Sequence, residues 1–383
     1  MNKRLGSYST KSEAGGSFKA YVPPSLPLLP PIELGKLSGP LEKAACALAE
    51  LNNMSKSIPN NSLFIYMHVR KEALLSSQIE GTQSSLSDLI LFENHEKPEV
   101  SLHDVEEVSN YVKAIYYGLE RLRDDLPLSL KLFRGMHAIL LSGTRGSCQL
   151  PGEFRISQNW IGGTRPGNAL FVPPPVDKLG DCLSNLEKFL HDKTLPVLIK
   201  AGIAHAQFET IHPFLDGNGR LGRLLITLLL VEGGLIDEPI LYLSLYLKQN
   251  RNTYYNLLQE VRTHGTWETW LEFFLEGILV SSKEAIKMAQ DINCVFSEDK
   301  SKISTLGRAR FSCEQALEYL KRLPQVSASL LAKQLSVSLP TARGILNHMI
   351  GLGILEEISG KQRDKVYVYR KYLNILERGA EPL

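Results

Sequence analysis

Two strongly apolar helical segments, about 197–209 and 219–233, flank one short polar stretch, His212-Pro-Phe-Leu-Asp-Gly-Asn-Gly-Arg-Leu-Gly-Arg223. Helices that apolar pack inside a domain, so this stretch is a junction held by a helical body. The rest of the chain agrees. Apolar residues recur at three- and four-residue steps over about 41–57, 62–79, 84–92, 104–123, 129–142, 177–191, 251–263 and 267–290, which predicts helices. The fold class is mainly α.

One segment breaks the helical pattern. Residues 153–175 carry β-formers around a Gly-Gly-Thr-Arg-Pro-Gly turn, a hairpin signal. A hairpin without a larger sheet is marginal alone, so it is expected to lie against the body as a flap. Residues 1–40 are rich in Gly, Ser and Pro and predict an extended arm. The expected divisions are an N-terminal helical region over 41–125, a core over 126–290, a polar linker over 291–310 and a compact unit over 311–383. In that last unit a helix at 312–322, the segment Ser327–Leu335, a helix from Leu339 to Leu352 and strand-like runs at 354–359 and 365–369 predict a small winged-helix domain.

Composition narrows the class. Hydrophobic residues at 43% and charged residues at 22% exclude a disordered or collagen-like chain. No apolar run reaches the ~18–20 residues that span a bilayer. Residues 1–14 have no apolar core of a secretory signal, and five scattered cysteines without a CxxC pair suit a reducing compartment. A cytoplasmic location is expected.

The junction concentrates chemistry. Gly217 and Gly219 let several backbone N–H groups turn toward one point, and the helix beginning near Gly219 adds its positive end, which makes an anion site. Arg220 and Arg223, three apart on the first turn, can reach phosphate oxygens. Asp216 is poorly placed to face phosphate directly and well placed to hold a Mg²⁺ that bridges phosphates. His212, four residues earlier, can remove a proton from an incoming hydroxyl.

This spacing resembles the Fic family, whose signature is His-x-Phe-x-Asp/Glu-Gly-Asn-Gly-Arg-x-x-Arg; every fixed position is present. The resemblance implies a nucleotidyl transferase that moves AMP from ATP onto a Ser, Thr or Tyr hydroxyl of a target protein or of the chain itself. It implies His212 as general base, Asp216 as metal holder, and Gly217, Asn218 and Gly219 around the α- and β-phosphates. Arg220 would steady the phosphates and Arg223 the γ-phosphate, with Leu221 and Gly222 between them on the same ATP-binding turn. The hairpin resembles the Fic flap, which pairs with the target backbone and brings Ile161, Gly162, Gly163 and Thr164 near the nucleotide. Tyr254 and Tyr255 resemble the adenine-side pair, although adjacent helical residues point about 100° apart and core packing is the alternative for one of them.

Upstream, Ser76-Ser-Gln-Ile-Glu-Gly81 resembles the family's inhibitory motif. The resemblance implies that Glu80, with Ser76 and Gly81, blocks the γ-phosphate position by pairing with Arg223. Charge is uneven along the chain. Residues 301–383 hold thirteen basic and seven acidic residues, a net of +6, and the remainder is −4. Lys361, Arg363, Lys365, Arg370 and Lys371 lie where a wing meets a phosphate backbone, and Thr341, Arg343, Asn347 and His348 can face base edges. DNA, a protein partner and a second copy of the chain are the candidate partners of this unit.

The expected function is autoinhibited protein adenylylation with ATP and Mg²⁺. The alternatives are a nucleotide-sensing transcription regulator, an enzyme that removes AMP, and one that transfers another phosphate-containing group.

Overall fold

The structure, a computed structural model, describes residues 4–13, 16–57, 61–93, 101–360 and 365–381. Its elements in order are β1 (Ser7–Glu13), β2 (Gly16–Val22), α1 (Leu34–Ser57), α2 (Asn61–Ile79), α3 (Leu86–Glu93), α4 (Leu102–Arg123), α5 (Leu130–Leu140), α6 (Val176–Leu190), α7 (Val197–Ile211) and α8 (Asn218–Glu232). Then come α9 (Ser244–Gln249), α10 (Arg251–His264), α11 (Trp267–Ser304), α12 (Arg310–Arg322), β3 (Gln325–Ser327), α13 (Ala328–Leu335), α14 (Leu339–Gly351), β4 (Glu356–Glu357), β5 (Val366–Val368) and α15 (Arg370–Glu377).

The expected apolar pair, α7 and α8, is the centre of the molecule. Every residue from Leu198 to Ile211 is buried, as is every residue from Arg220 to Leu230. They pack on each other, with α6, α10, α11 and α1 against α7, and α4, α5 and α2 against α8. Helices buried on all sides must be apolar on all sides, which is why no amphipathic stripe marks them. Elsewhere local signals start the helices: the Ser129 side chain accepts from Leu132 N–H, Ser327 from Leu330 N–H and Ser338 from Thr341 N–H, each an N-cap.

Two expectations change. The arm over 1–40 is not simply extended, because β1 and β2 pair antiparallel from Ser7↔Val22 to Glu13↔Gly16 and α1 begins before Pro40. The Ser/Thr/Tyr-rich run has strand propensity, and Phe18 and Ala20 bury against Val172 of the flap. The linker expected over 291–310 is helix as far as Ser304, since α11 runs 38 residues without a break. Its polar composition is that of a solvated face; Asp299 and Ile303 are the buried side, and Asp299 accepts a 2.7 Å hydrogen bond from Tyr369. The flap is a hairpin held by one antiparallel bridge, Ile161↔Phe171, since Pro166 and Pro173–Pro175 remove the donors that a longer ladder needs.

In the C-terminal unit the expected helices and hairpin are present, and β3 joins to give a three-stranded sheet ordered β3-β5-β4. The chain after α15 returns to α2. Lys71 donates to Arg378 O (2.9 Å), Gln78 Nε2 to Ala380 O (2.8 Å) and Ser87 to Glu377 (2.8 Å). Lys71 and Gln78 are buried, and burial lowers the Lys71 ammonium to about 8. Deleting residues 378–383 takes one acceptor from each of three buried groups, Lys71, Gln78 and Lys248, at up to about 1–3 kcal/mol each. The expected result is a thermal midpoint several degrees lower with unchanged helical signal, read by circular dichroism; an unchanged midpoint would contradict it.

Among the described residues no helix is long and apolar enough to cross a membrane.

Candidate active site

Helix α7 ends at Ile211, and His212 caps it in the left-handed region at φ 48°, ψ 62°. The loop that follows is shaped from inside. Asn218 accepts from Phe214 N–H and donates to Phe214 O, both 2.9 Å, so its side chain braces the turn rather than facing a ligand. Gly217, at φ 75°, is the N-cap of α8, a conformation that glycine adopts without strain. Phe214 stacks on His137 at 3.8 Å. His137 accepts from Gly152 N–H and donates to Asp216 O, which fixes the backbone of the metal-holding candidate. The first intrahelical bond of α8 is Leu221 N–H to Gly217 O. The N–H groups of Asn218, Gly219 and Arg220 therefore have no helical acceptor and form an electropositive mouth.

A carboxylate already stands at that mouth. Glu80 Oε1 accepts from Arg223 Nη2 at 2.7 Å, while Ser76 accepts from the same guanidinium through Oγ (2.8 Å, from Nε) and its carbonyl (2.9 Å, from Nη2). A β-carbon on Gly219 would fall 2.2 Å from Glu80 Oε1, so the carboxylate lies directly over the glycine. Arg223 is buried while the Glu80 side chain is 36% exposed. Burial works against ionisation of Glu80, but Arg223, helped by Arg220 and His212, holds its carboxyl below the usual range. Burial likewise disfavours the Arg223 charge, and Glu80 overcomes it, keeping the guanidinium charged.

Arg220 is also engaged. Its Nη1 lies 3.3 Å from Glu107 of α4, with both side chains buried, and its Nη2 lies 3.7 Å from Asp216. His212 is neutral at pH 7: burial lowers its imidazole to about 4, Arg262 adds to the effect, and Glu80 and the Glu209 carbonyl oppose it. Its Nδ1 is buried, which leaves Nε2 as the nitrogen able to meet a substrate.

Residues 39–120 match the Fic/DOC family N-terminal domain and residues 127–230 the Fic/DOC family domain. The chain carries Fic/DOC domains. Over 93 residues the chain is 39% identical to a probable protein adenylyltransferase of Aquifex aeolicus, covering 24% of this chain and 27% of that protein. Over 111 residues it is 38% identical to the protein adenylyltransferase Fic of Drosophila yakuba, covering 28% and 20%. The match thus spans about a quarter or less of these relatives. The fold resembles that of a Fic family protein from Desulfovibrio desulfuricans (TM-score 0.56, 19% identity, 87% of this chain and 95% of that one). It also resembles a Fic domain-containing signaling protein from Bacteroides thetaiotaomicron (TM-score 0.51, 20% identity, 64% and 97%).

Across the two matched domains the structure brings Ser76 and Glu80 of the N-terminal one together with Asp216, Gly219, Arg220 and Arg223 of the Fic one. Gly81, at φ 100°, turns the chain away just after Glu80. Other expected contacts lie elsewhere. Leu221 is in the hydrophobic core, and Gly222 faces α7, where an added β-carbon would fall 2.4 Å from Glu209. Tyr254 is fully buried and its hydroxyl donates to His205 at 2.8 Å, so core packing claims it, and Tyr255, 40% exposed, is the member of the pair that can meet a base. Ile161 carries the flap bridge, and Gly162, Gly163 and Thr164 form its exposed turn. On the C-terminal unit Thr341, Arg343, Asn347 and His348 are all exposed. Lys365 and Arg370 are paired with Glu357 and Glu356, and Lys361 and Arg363 lie outside the described residues.

Sequence reasoning missed Glu107, His137, Glu209 and Arg262. Glu209 is a buried carboxyl raised to about 7 by burial. Arg262 donates to Glu209 O and Thr210 Oγ1 and lies 4.0 Å over the Phe171 ring. The one available signal was a charge placed on an otherwise apolar helix face, as at Glu107 and Glu209.

Proposed function

We propose that the chain is an autoinhibited protein adenylyltransferase. The observation that carries this reading is the Glu80 carboxylate over Gly219, bound to Arg223, in a mouth otherwise built for anions. It is an anion supplied by the protein itself, and a nucleotide triphosphate must displace it.

With Glu80 withdrawn, Arg223 and the N–H groups of α8 receive the phosphates. A target hydroxyl, aligned along the flap, gives its proton to His212 Nε2. Its oxygen bonds to the α-phosphorus, the bond to the α,β-bridging oxygen breaks, and pyrophosphate leaves carrying the charge that Arg220 and Arg223 face. Positioning and fixed charge supply most of the acceleration in such a transfer. A divalent cation fits as a companion of the nucleotide. Among the described residues no three His, Cys, Asp or Glu side chains converge as ligands, and Mg²⁺ takes one or two carboxylates together with phosphates and waters. Asp216 would hold it, and it would screen the phosphate charge.

The test is mass spectrometry of a lysate treated with the Glu80→Gly protein and ATP labelled in the α- or the γ-phosphate. Protein-bound label from the α position alone, on a Ser, Thr or Tyr residue, is expected. No covalent nucleotide adduct from either label would overturn the reading.

A further inference from the structure

His212 holds a left-handed backbone conformation without being glycine, a strained state that persists only where surrounding contacts fix it. Those contacts come from the root of the flap. Arg155 Nε and Asn159 Nδ2 both donate to His212 O at 3.0 Å. Asn159 Nδ2 also donates to Phe214 O (2.9 Å), and Arg155 N–H to Pro213 O (2.9 Å). The remaining arginine donors go to Pro174 O (2.5 Å), Ser157 O (3.4 Å) and Ile211 O (3.5 Å).

Arg155 is 1% exposed, yet no carboxylate among the described residues lies within ion-pair distance. A buried guanidinium satisfied by carbonyls alone is unusual. Its place explains it: the last carbonyls of α7 are the negative end of a helix, and the rigid five-donor fork suits several of them at once. Asn159 donates to two carbonyl oxygens, which fixes the orientation of its amide.

We propose that Arg155 and Asn159 are positioning residues that hold the His212 peptide and lock the flap to the catalytic loop, so the base and the docked hydroxyl keep one relative geometry. This rests on the adenylyltransferase reading for its kinetic consequence but not for its structural one. A base displaced by about 1 Å loses on the order of 10²-fold in rate, while the phosphate mouth, built from α8 and Arg223, is untouched.

The test uses the full chain carrying Glu80→Gly, with Asn159→Ala and Arg155→Lys added separately. In the Asn159→Ala protein kcat is expected to fall at least tenfold, with the KM for ATP within twofold of the parent. The thermal midpoint is expected within a few degrees of it. Arg155→Lys keeps the charge but not the fork, and a similar kcat loss is expected. The His212 ring resonance, followed by NMR in ¹³C-histidine-labelled protein, should shift and titrate differently in Asn159→Ala. An unaltered His212 resonance, an unchanged kcat, or a KM rising in step with the kcat loss would overturn the proposal. If the Glu80→Gly parent transfers no label at all, that counts against the transferase reading alone, and the resonance still decides the positioning role.

Discussion

Replacing Glu80 with glycine is expected to raise AMP transfer by about 10–100-fold, the equivalent of roughly 1.4–2.7 kcal/mol. Glu80 and the nucleotide compete for one cation. Arg223 is buried and satisfied by one carboxylate and two Ser76 oxygens. Removing the carboxylate leaves a buried charge short of an anion, a costly state, and ATP relieves it. Glycine at position 80 also clears the space over Gly219. Glu80→Gln, which keeps the volume and loses the charge, should give a smaller gain. Because Arg223 holds the Glu80 carboxyl below its ordinary value of 4.5, the block persists from neutral pH down to at least about pH 4.5, and mild acid alone should not release it. The measurement is initial incorporation of α-labelled ATP at subsaturating nucleotide. Equal incorporation by wild type and Glu80→Gly would sink the inhibitory role.

How much of this was legible in the sequence depends on whether a contact is local. The helical body and the anion mouth followed from periodicity and one short motif, because glycines and arginines at fixed spacing on one turn act together wherever that turn is placed. The Glu80–Arg223 pairing followed only from the resemblance of Ser76–Gly81 to a family motif. Contacts across the fold left no such mark. Glu107 meets Arg220 from α4, more than a hundred residues away, and Arg155 reaches back to carbonyls that have no side-chain signature. Asn218 reads as a ligand-facing residue in the motif, yet its amide is spent on Phe214. Tyr254 and Tyr255 look alike in sequence, and only the position of His205 decides that one is core.

The polar run over 291–310 reads as a linker in the sequence because exposed helix faces and linkers share a composition. Burial of Asp299 and Ile303 makes it a helix, and that helix reaches the unit whose tail holds α2, the element that carries Ser76 and presents Glu80. In residues 1–40 the prolines dominate the sequence signal, and the alternation of Phe18 and Ala20 that buries one face of β2 is too short to outweigh them.

The largest loss is expected from His212→Ala, at about 10²–10⁴-fold in kcat, the usual contribution of a positioned proton acceptor. Burial and Arg262 lower the imidazole to about 4, so the ring is neutral and ready to accept a proton throughout the neutral range. A group whose folded pKa is depressed in this way loses its basic form only as pH falls through that lower value. In the Glu80→Gly protein the acid limb of kcat/KM should therefore lie well below 6.5, and removing Glu80 takes away a charge that raised it. The His212→Ala protein should still bind ATP, since Arg223, Arg220 and the α8 N–H groups are intact, and should show no acid limb in its residual rate. Nucleotide binding by calorimetry separates lost chemistry from lost folding. A His212→Ala variant that retains transfer within a few-fold of its parent would remove the general base from the mechanism and leave fixed charge to carry the reaction.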